Sequence, residues 1–185
     1  MATAPTKPKA QFTDVKTLRA NARKNIDDGA VTKSYPADRE TIISKLQESL
    51  ATEWVCVLRY TRHYHTATGL VSEPIKEHFL EHAHAEQAHA MMLAERIVQL
   101  GGEPDLNPDN LSKLSHAEYR EGKTLKDMVK EDLVAERIAI DSYRELIHYV
   151  GDRDTTTKKM LMHILEQEEE HADEFSDLLD GWEGE

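Results

Sequence analysis

Apolar residues recur along this chain at steps of three and four, the period of a helix that turns one face inward. Between about Asp38 and Ala67 the stripe is Leu46, Leu50, Glu53, Val57, Tyr60 and Tyr64. A second pattern opens at Pro74, a good first helical residue. It carries Ile75, Phe79, His82, Glu86, His89, Leu93, Ile97 and Leu100 and stops at Gly101-Gly102. A third, from about Thr124 to Val150, carries Met128, Asp132, Glu136, Ala139, Tyr143, Leu146 and Val150 before Gly151. A fourth, from about Asp154 to Asp180, carries Leu161, Ile164, Glu168, His171, Phe175 and Leu178. Each predicts a helix of roughly 27–30 residues, about 40–45 Å long at the helical rise per residue. Four such helices predict an all-α fold, a four-helix bundle over residues 38–185.

The connections predict the topology. The link between the first and second long helices is short (Thr68 to Ser72), as is the turn at Gly151–Arg153 between the third and fourth. Each pair is therefore expected to form an antiparallel hairpin. The stretch from Gly101 to Lys123, with Pro104 and Pro108, is long enough to cross the bundle. Ahead of the bundle, residues 1–37 read as a separate extension. Its first twelve residues are rich in Ala, Thr, Pro and Lys and are expected to be disordered. Val15, Leu18, Ala22 and Ile26 then predict a short helix lying on the main body, with Asp14 as N-cap and Gly29 as stop.

Each long stripe holds a carboxylate where a hydrophobe is expected. Burying one unpaired carboxylate is very costly, and four in one core would be prohibitive. A cation in the core removes the conflict. Glu86-x-x-His89 and Glu168-x-x-His171 each put a carboxylate and an imidazole on one helical face. Glu53 and Glu136 stand alone on theirs. The two halves match, with 33 residues from Glu53 to Glu86 and 32 from Glu136 to Glu168. One Glu from each of two helices and one Glu-x-x-His from each of the other two is the ligand pattern of di-iron and di-manganese carboxylate bundles. Oxygen-rich ligation with two imidazoles suits iron or manganese better than zinc.

Charge and composition narrow the classes. The 185 residues carry 35 acidic against 23 basic side chains, a net charge of −12, which argues against a generally basic nucleic-acid binder. The charge is uneven: residues 1–37 hold seven Lys or Arg and three acids, a net +4, leaving −16 on the remainder. One Cys excludes an internal disulfide framework and a Cys-rich zinc site. No run is long and apolar enough for a membrane span, and the polar, basic N-terminus has no secretory pattern. A cytoplasmic location is expected.

The segments Leu50-Ala-Thr-Glu53 with Tyr60, Glu81 to Ala90, Asp132-Leu-Val-Ala-Glu136, and Ile164 to Asp173 resemble bacterioferritin over about residues 40–180. The resemblance implies a ferritin-like bundle with ferroxidase chemistry. Two Fe(II) ions would be oxidised by dioxygen or peroxide, and Fe(III) stored in a hollow shell. By motif match Glu86 and Glu168 would bridge the irons, Glu53 and His89 completing one ion's ligands and Glu136 and His171 the other's. Tyr60 resembles the family's tyrosine beside the centre, a donor of an electron or a hydrogen bond; the residues alone equally fit a core tyrosine with a satisfied hydroxyl.

Two departures matter. Bacterioferritins ligate haem through a Met directly after the second-helix Glu; this chain has Gln87 there, with Met91 and Met92 out of register, so no haem is expected. The chain ends soon after the fourth helix, without room for the fifth helix of 24-subunit ferritins, and it carries an N-terminal extension. Both traits resemble Dps-type mini-ferritins, so a dodecamer is expected ahead of a 24-mer. Dps proteins usually hold their site between subunits, whereas these ligands fit within one bundle. Beside the −16 body, the basic extension reads as a solubilising or shell-docking tail, with nonspecific DNA contact of the kind Dps tails resemble as the alternative. A non-storing di-metal peroxidase or catalase is another, weakened by the lack of Cys for a rubredoxin-type iron. His82 and Asp132 read first as packed, hydrogen-bonded residues; a partner of the ligands is the alternative for both, and an approach-path ligand is also open for His82. His63, His65, His78, His84, His116, His148 and His163 have no paired pattern and read as surface or packing residues. Cys56 reads as a small buried hydrophobe.

Overall fold

The computed structural model describes residues 12–69 and 72–183. Among them are six helices: α1 (Val15–Lys24), α2 (Arg39–Thr66), α3 (Ser72–Gln99), α4 (Pro108–Leu114), α5 (Leu125–Val150) and α6 (Thr155–Glu183). No strand occurs among the described residues. The chain divides into two compact units, Met1–Ser34 and Tyr35–Glu185.

The first unit holds α1. Asp14 caps it, accepting from the Thr17 N–H at 3.0 Å and from its hydroxyl at 2.6 Å. None of its residues is buried. Residues 1–11, expected to be disordered, lie outside the described residues.

The second unit is the bundle. α2 pairs with α3 and α5 with α6; α2 also meets α5, and α3 meets α6. These are the two hairpins the connection lengths predict. Their starts have local causes. Asp38 caps α2 through Thr41, Thr124 and Asp127 form a capping box on α5, and Asp154 accepts from the Thr157 N–H at the head of α6. Each satisfies backbone donors that a helix start leaves open. α3 begins two residues before Pro74, and α6 runs three residues past the expected end at Asp180. Fraying and local capping routinely move ends by that much.

The periodicity of the long helices does not reveal α4. It is one short turn-rich helix within the crossover, started by Asn107 and Pro108. Leu111 buries it against Ala51 and Val55 of α2. The rest of the crossover is tied along α2 by polar contacts. Gln47 bonds Glu103 and Asp105, Thr52 bonds His116, Arg59 bonds the Glu118 carbonyl, and His63 the Glu121 carbonyl. Gly122 lets the strap turn back into α5. Its φ is +63°, and a Cβ there would sit 2.8 Å from the Met128 backbone nitrogen.

Candidate metal centre

The long helices bring all six sequence-selected ligands to one place in the core. Glu53 comes from α2, Glu86 and His89 from α3, Glu136 from α5, and Glu168 and His171 from α6. All six are buried. Donor atoms of Glu53, Glu86, His89 and Glu168 lie within 4.8 Å of one another, and so do donors of Glu86, Glu136, Glu168 and His171. Glu86 and Glu168 belong to both sets. The geometry is thus two adjacent four-donor clusters with two shared carboxylates, within one chain. The i, i+3 spacing on α3 and α6 produces it, because those positions lie one above the other on a helical face.

Within the centre the imidazole of His89 turns Nδ1 to Glu168 at 2.9 Å, Glu86 at 3.3 Å and Glu53 at 3.5 Å. His171 Nδ1 lies 3.3 Å from Glu86 and 3.9 Å from Glu136. Gln167 sets the His89 ring: its Oε1 is 3.0 Å from Nε2. An amide oxygen only accepts, so Nε2 donates and Nδ1 faces the carboxylates. Glu86 Oε1, Glu168 Oε1 and His171 Nδ1 are buried, and their close contacts with neighbouring imidazoles and carboxylates are not aligned as hydrogen bonds. Buried polar atoms are normally paired, and these three share one small space. The donor set of four carboxylates and two imidazoles fits a pair of divalent first-row cations.

Electrostatics carry the same strain. Burial, with the neighbouring Glu86 charge second, drives the Glu53 carboxyl well above its ordinary range. Glu136 is raised well above by burial and by Glu86 and Glu168. Glu168 is pushed up to about 8 by burial, then by Glu86 and Glu53. Glu86 is the exception. Burial opposes its charge, but donors from Glu53, His171 and His89 hold it well below the usual range. His89 is raised, its contacts to Glu168, Glu53 and Glu86 overcoming burial. One ionised carboxylate ringed by protonated partners is the low-energy form of such a cluster without cations.

Two tyrosines complete the ring. Tyr60 donates to Glu136 Oε1 at 2.5 Å, and Tyr143 donates to Glu53 Oε1. Burial raises both hydroxyls well above their ordinary value, so both stay protonated. Tyr60 stands seven residues after Glu53 and bonds the lone Glu of α5; Tyr143 stands seven after Glu136 and bonds the lone Glu of α2. Sequence reasoning singled out Tyr60 alone. The repeated seven-residue offset from a lone Glu is the signal that finds Tyr143. Gln167 had no such signal, because only the relative tilt of α3 and α6 puts it on His89.

The surroundings are not symmetric. At the Tyr60 end, Asp132 is fully buried, with Arg59 Nε at 3.0 Å and His63 Nδ1 at 2.8 Å. His63 Nε2 faces the Glu121 carbonyl at 2.9 Å. That carbonyl only accepts, so Nε2 donates, and the Nδ1–Asp132 contact needs one further proton. Three of the seven histidines without a paired sequence pattern therefore have carboxylate partners: His63 with Asp132, His116 with Glu48 and His78 with Glu174. Those partners come from other elements, invisible to spacing along one helix. His65, His84, His148 and His163 are exposed. His82 is buried and stacks on His171, with centroids 4.1 Å apart; burial and then the His171 charge push its pKa down to about 4. Cys56 is buried and free. Gln87 is exposed on α3, as is Met91.

Comparison with known proteins agrees with the architecture. Residues 43–184 match the family described as ferritin-like domain. The chain is 34% identical over 148 residues to the DNA protection during starvation protein of Pyrococcus furiosus, covering 78% of this chain and 80% of that one. It is 27% identical over 133 residues to bacterioferritin of Mycobacterium avium, covering 71% and 79%. Among solved structures, the bacterioferritin-related protein of Bacteroides fragilis, described as a dodecameric thioferritin, superposes with a TM-score of 0.76 at 29% identity, over 79% of this chain and 88% of that one. Dps from Thermosynechococcus elongatus shares the fold, with a TM-score of 0.73 at 20% identity over 76% and 90%.

Proposed function

The chain belongs to the ferritin-like family, and on that premise we propose that it is an iron-storing ferroxidase that oxidises Fe(II) at the six-residue centre. The observation that carries this reading is the pair of four-donor clusters sharing Glu86 and Glu168, with unpaired buried donors between them. Fe(II) is the substrate. Glu53 and His89 hold one ion, Glu136 and His171 the other, and Glu86 and Glu168 bridge both. Fe(II) displaces the protons that the buried Glu53, Glu136 and Glu168 carry in its absence, and cation charge replaces proton charge in the core.

Each Fe(II) gives up one electron. Two electrons and two protons convert hydrogen peroxide to two waters, or dioxygen to hydrogen peroxide. The displaced carboxyl protons are positioned to supply that demand. Tyr60 and Tyr143 hold the terminal carboxylates Glu136 and Glu53 in orientation through their hydroxyl protons. The Fe(III) product then moves to the cavity of a shell of identical chains. Likeness to the dodecameric Bacteroides protein favours twelve copies. A second reading adds DNA contact through the extension. The name of the Pyrococcus relative favours it, as do exposed Lys16, Arg19, Arg23 and Lys24. A mobility-shift assay with and without residues 1–37, at rising salt, tests it.

Among the described residues no helix is long and apolar enough to cross a membrane. Glu86→Ala or His89→Ala should abolish rapid Fe(II) oxidation while the helical signal and the assembly persist. Unchanged oxidation rates would sink the site assignment. Twelve chains of 21.1 kDa make a particle near 250 kDa by mass photometry; a monomer or dimer would reject storage.

A further inference from the structure

Outside the six-residue centre one cluster of metal-binding groups remains unexplained. His78 and His82 lie on α3, at four-residue steps before Glu86, and Glu174 lies on α6, three residues after His171. The rows on the two helices therefore continue past the centre. Donor atoms of His78, His82 and Glu174 lie within 4.8 Å of one another. Glu174 Oε2 is 2.8 Å from His82 Nε2 and 3.4 Å from His78 Nδ1. A donor of His82 is also within 4.8 Å of donors of Glu136 and His171. His82 thus belongs at once to this cluster and to the edge of the centre.

Two further observations point to a ligand. His82 Nδ1 is buried without a hydrogen-bond partner, and the 3.4 Å contact of His78 Nδ1 with Glu174 is not aligned as a hydrogen bond, although buried nitrogens of this kind are nearly always satisfied. Accessibility also falls in one direction along the row. The side chains of Glu174 and His78 are 41% and 36% exposed, and that of His82 is 4% exposed. The cluster is open to solvent on one side and touches the centre on the other.

We propose that His78, His82 and Glu174 form a third cation site, an inlet that takes a divalent first-row cation from solvent and passes it to the Glu136–His171 half of the centre. Three protein donors leave open positions for water, which suits a site that must release its ion. Two imidazoles and one carboxylate select such cations over calcium or magnesium, which prefer all-oxygen ligation. His82 is the shared element. It stacks on His171 at an interplanar angle of 21°, and Phe175 closes the apolar side of its ring at 4.5 Å.

The inference rests on the ferroxidase reading, and Co(II) binding separates the two. The full-length assembled protein is titrated with Co(II) without oxygen, and the ions bound per chain are counted by calorimetry. Three are expected in the wild type and two in His78→Gln and in Glu174→Gln. Both substituted side chains are partly exposed, so the fold should survive, and circular dichroism checks it. Crystals grown with Co(II) should give an anomalous peak between His78, His82 and Glu174. At limiting Fe(II) the variants should oxidise about ten-fold more slowly, an effect of the size seen when groups around a metal site are lost, and added Fe(II) should restore most of the rate. Two ions in the wild type with no third peak, or three in both variants, would overturn the inlet and leave the centre standing. Fewer than two in the wild type would overturn both.

Discussion

Glu168 offers a direct test of how the centre trades stability for binding. Its carboxyl is 1% exposed and its pKa is raised to about 8, by burial first and by Glu86 and Glu53 next. In the unfolded chain a glutamate titrates near 4.3. The folded form therefore binds the proton more tightly, and stability must fall as pH rises between those two values. At pH 7 the cost is roughly 4 kcal/mol at 1.36 kcal/mol per pK unit. Glu168→Gln removes the titration. It also weakens the 2.9 Å contact with His89 Nδ1, a loss of about 1–2 kcal/mol for a charge-assisted pair. The metal-free variant should then be about 2–3 kcal/mol more stable than wild type at pH 7, the difference of those two effects. It should lose that advantage toward pH 4.5. The assay is urea unfolding of chelator-treated protein from pH 4.5 to 8, at one protein concentration because dissociation is linked to unfolding. Co(II) at a hundred times its dissociation constant should stabilise the wild type by about 2.7 kcal/mol and the variant by less. A stability difference that stays flat, or falls, as pH rises would refute the reasoning.

Other outcomes follow from single contacts. Tyr143→Phe removes the donor to Glu53, and Tyr60→Phe the donor to Glu136. Each should weaken Co(II) binding about ten-fold, measured by calorimetry, with comparable losses from the two substitutions. Asp154 tests the far end of the bundle, where it accepts from Arg96, Tyr35 and Thr157. These donors hold its pKa down to about 2 against burial. Its contribution is therefore present above the unfolded value near 3.9 and fades as pH falls toward 2. Asp154→Asn should cost about 2–3 kcal/mol at pH 7 by urea unfolding, and the gap should close below pH 3.

The chain's local pattern was enough to determine the four long helices, their hairpin pairing and the six carboxylate and imidazole side chains that meet in the core. Those features depend on helical period, on loop length, and on the rule that carboxylates on an apolar stripe need a partner. Each of these lives within one element or between neighbours in sequence. The tertiary structure alone decided the rest. α4 is too short to carry a period and forms because Leu111 finds Ala51 and Val55. His63 and Asp132 meet across 69 residues of sequence, and Gln167 reaches His89 across 78. Glu174 joins His82 across 92. Which side chains of adjacent helices touch depends on helix tilt and rotation, set by the whole core rather than by spacing along one helix. Spacing therefore singled out the six candidate ligands, while packing chose the residues that orient them and the route by which we propose a cation reaches them.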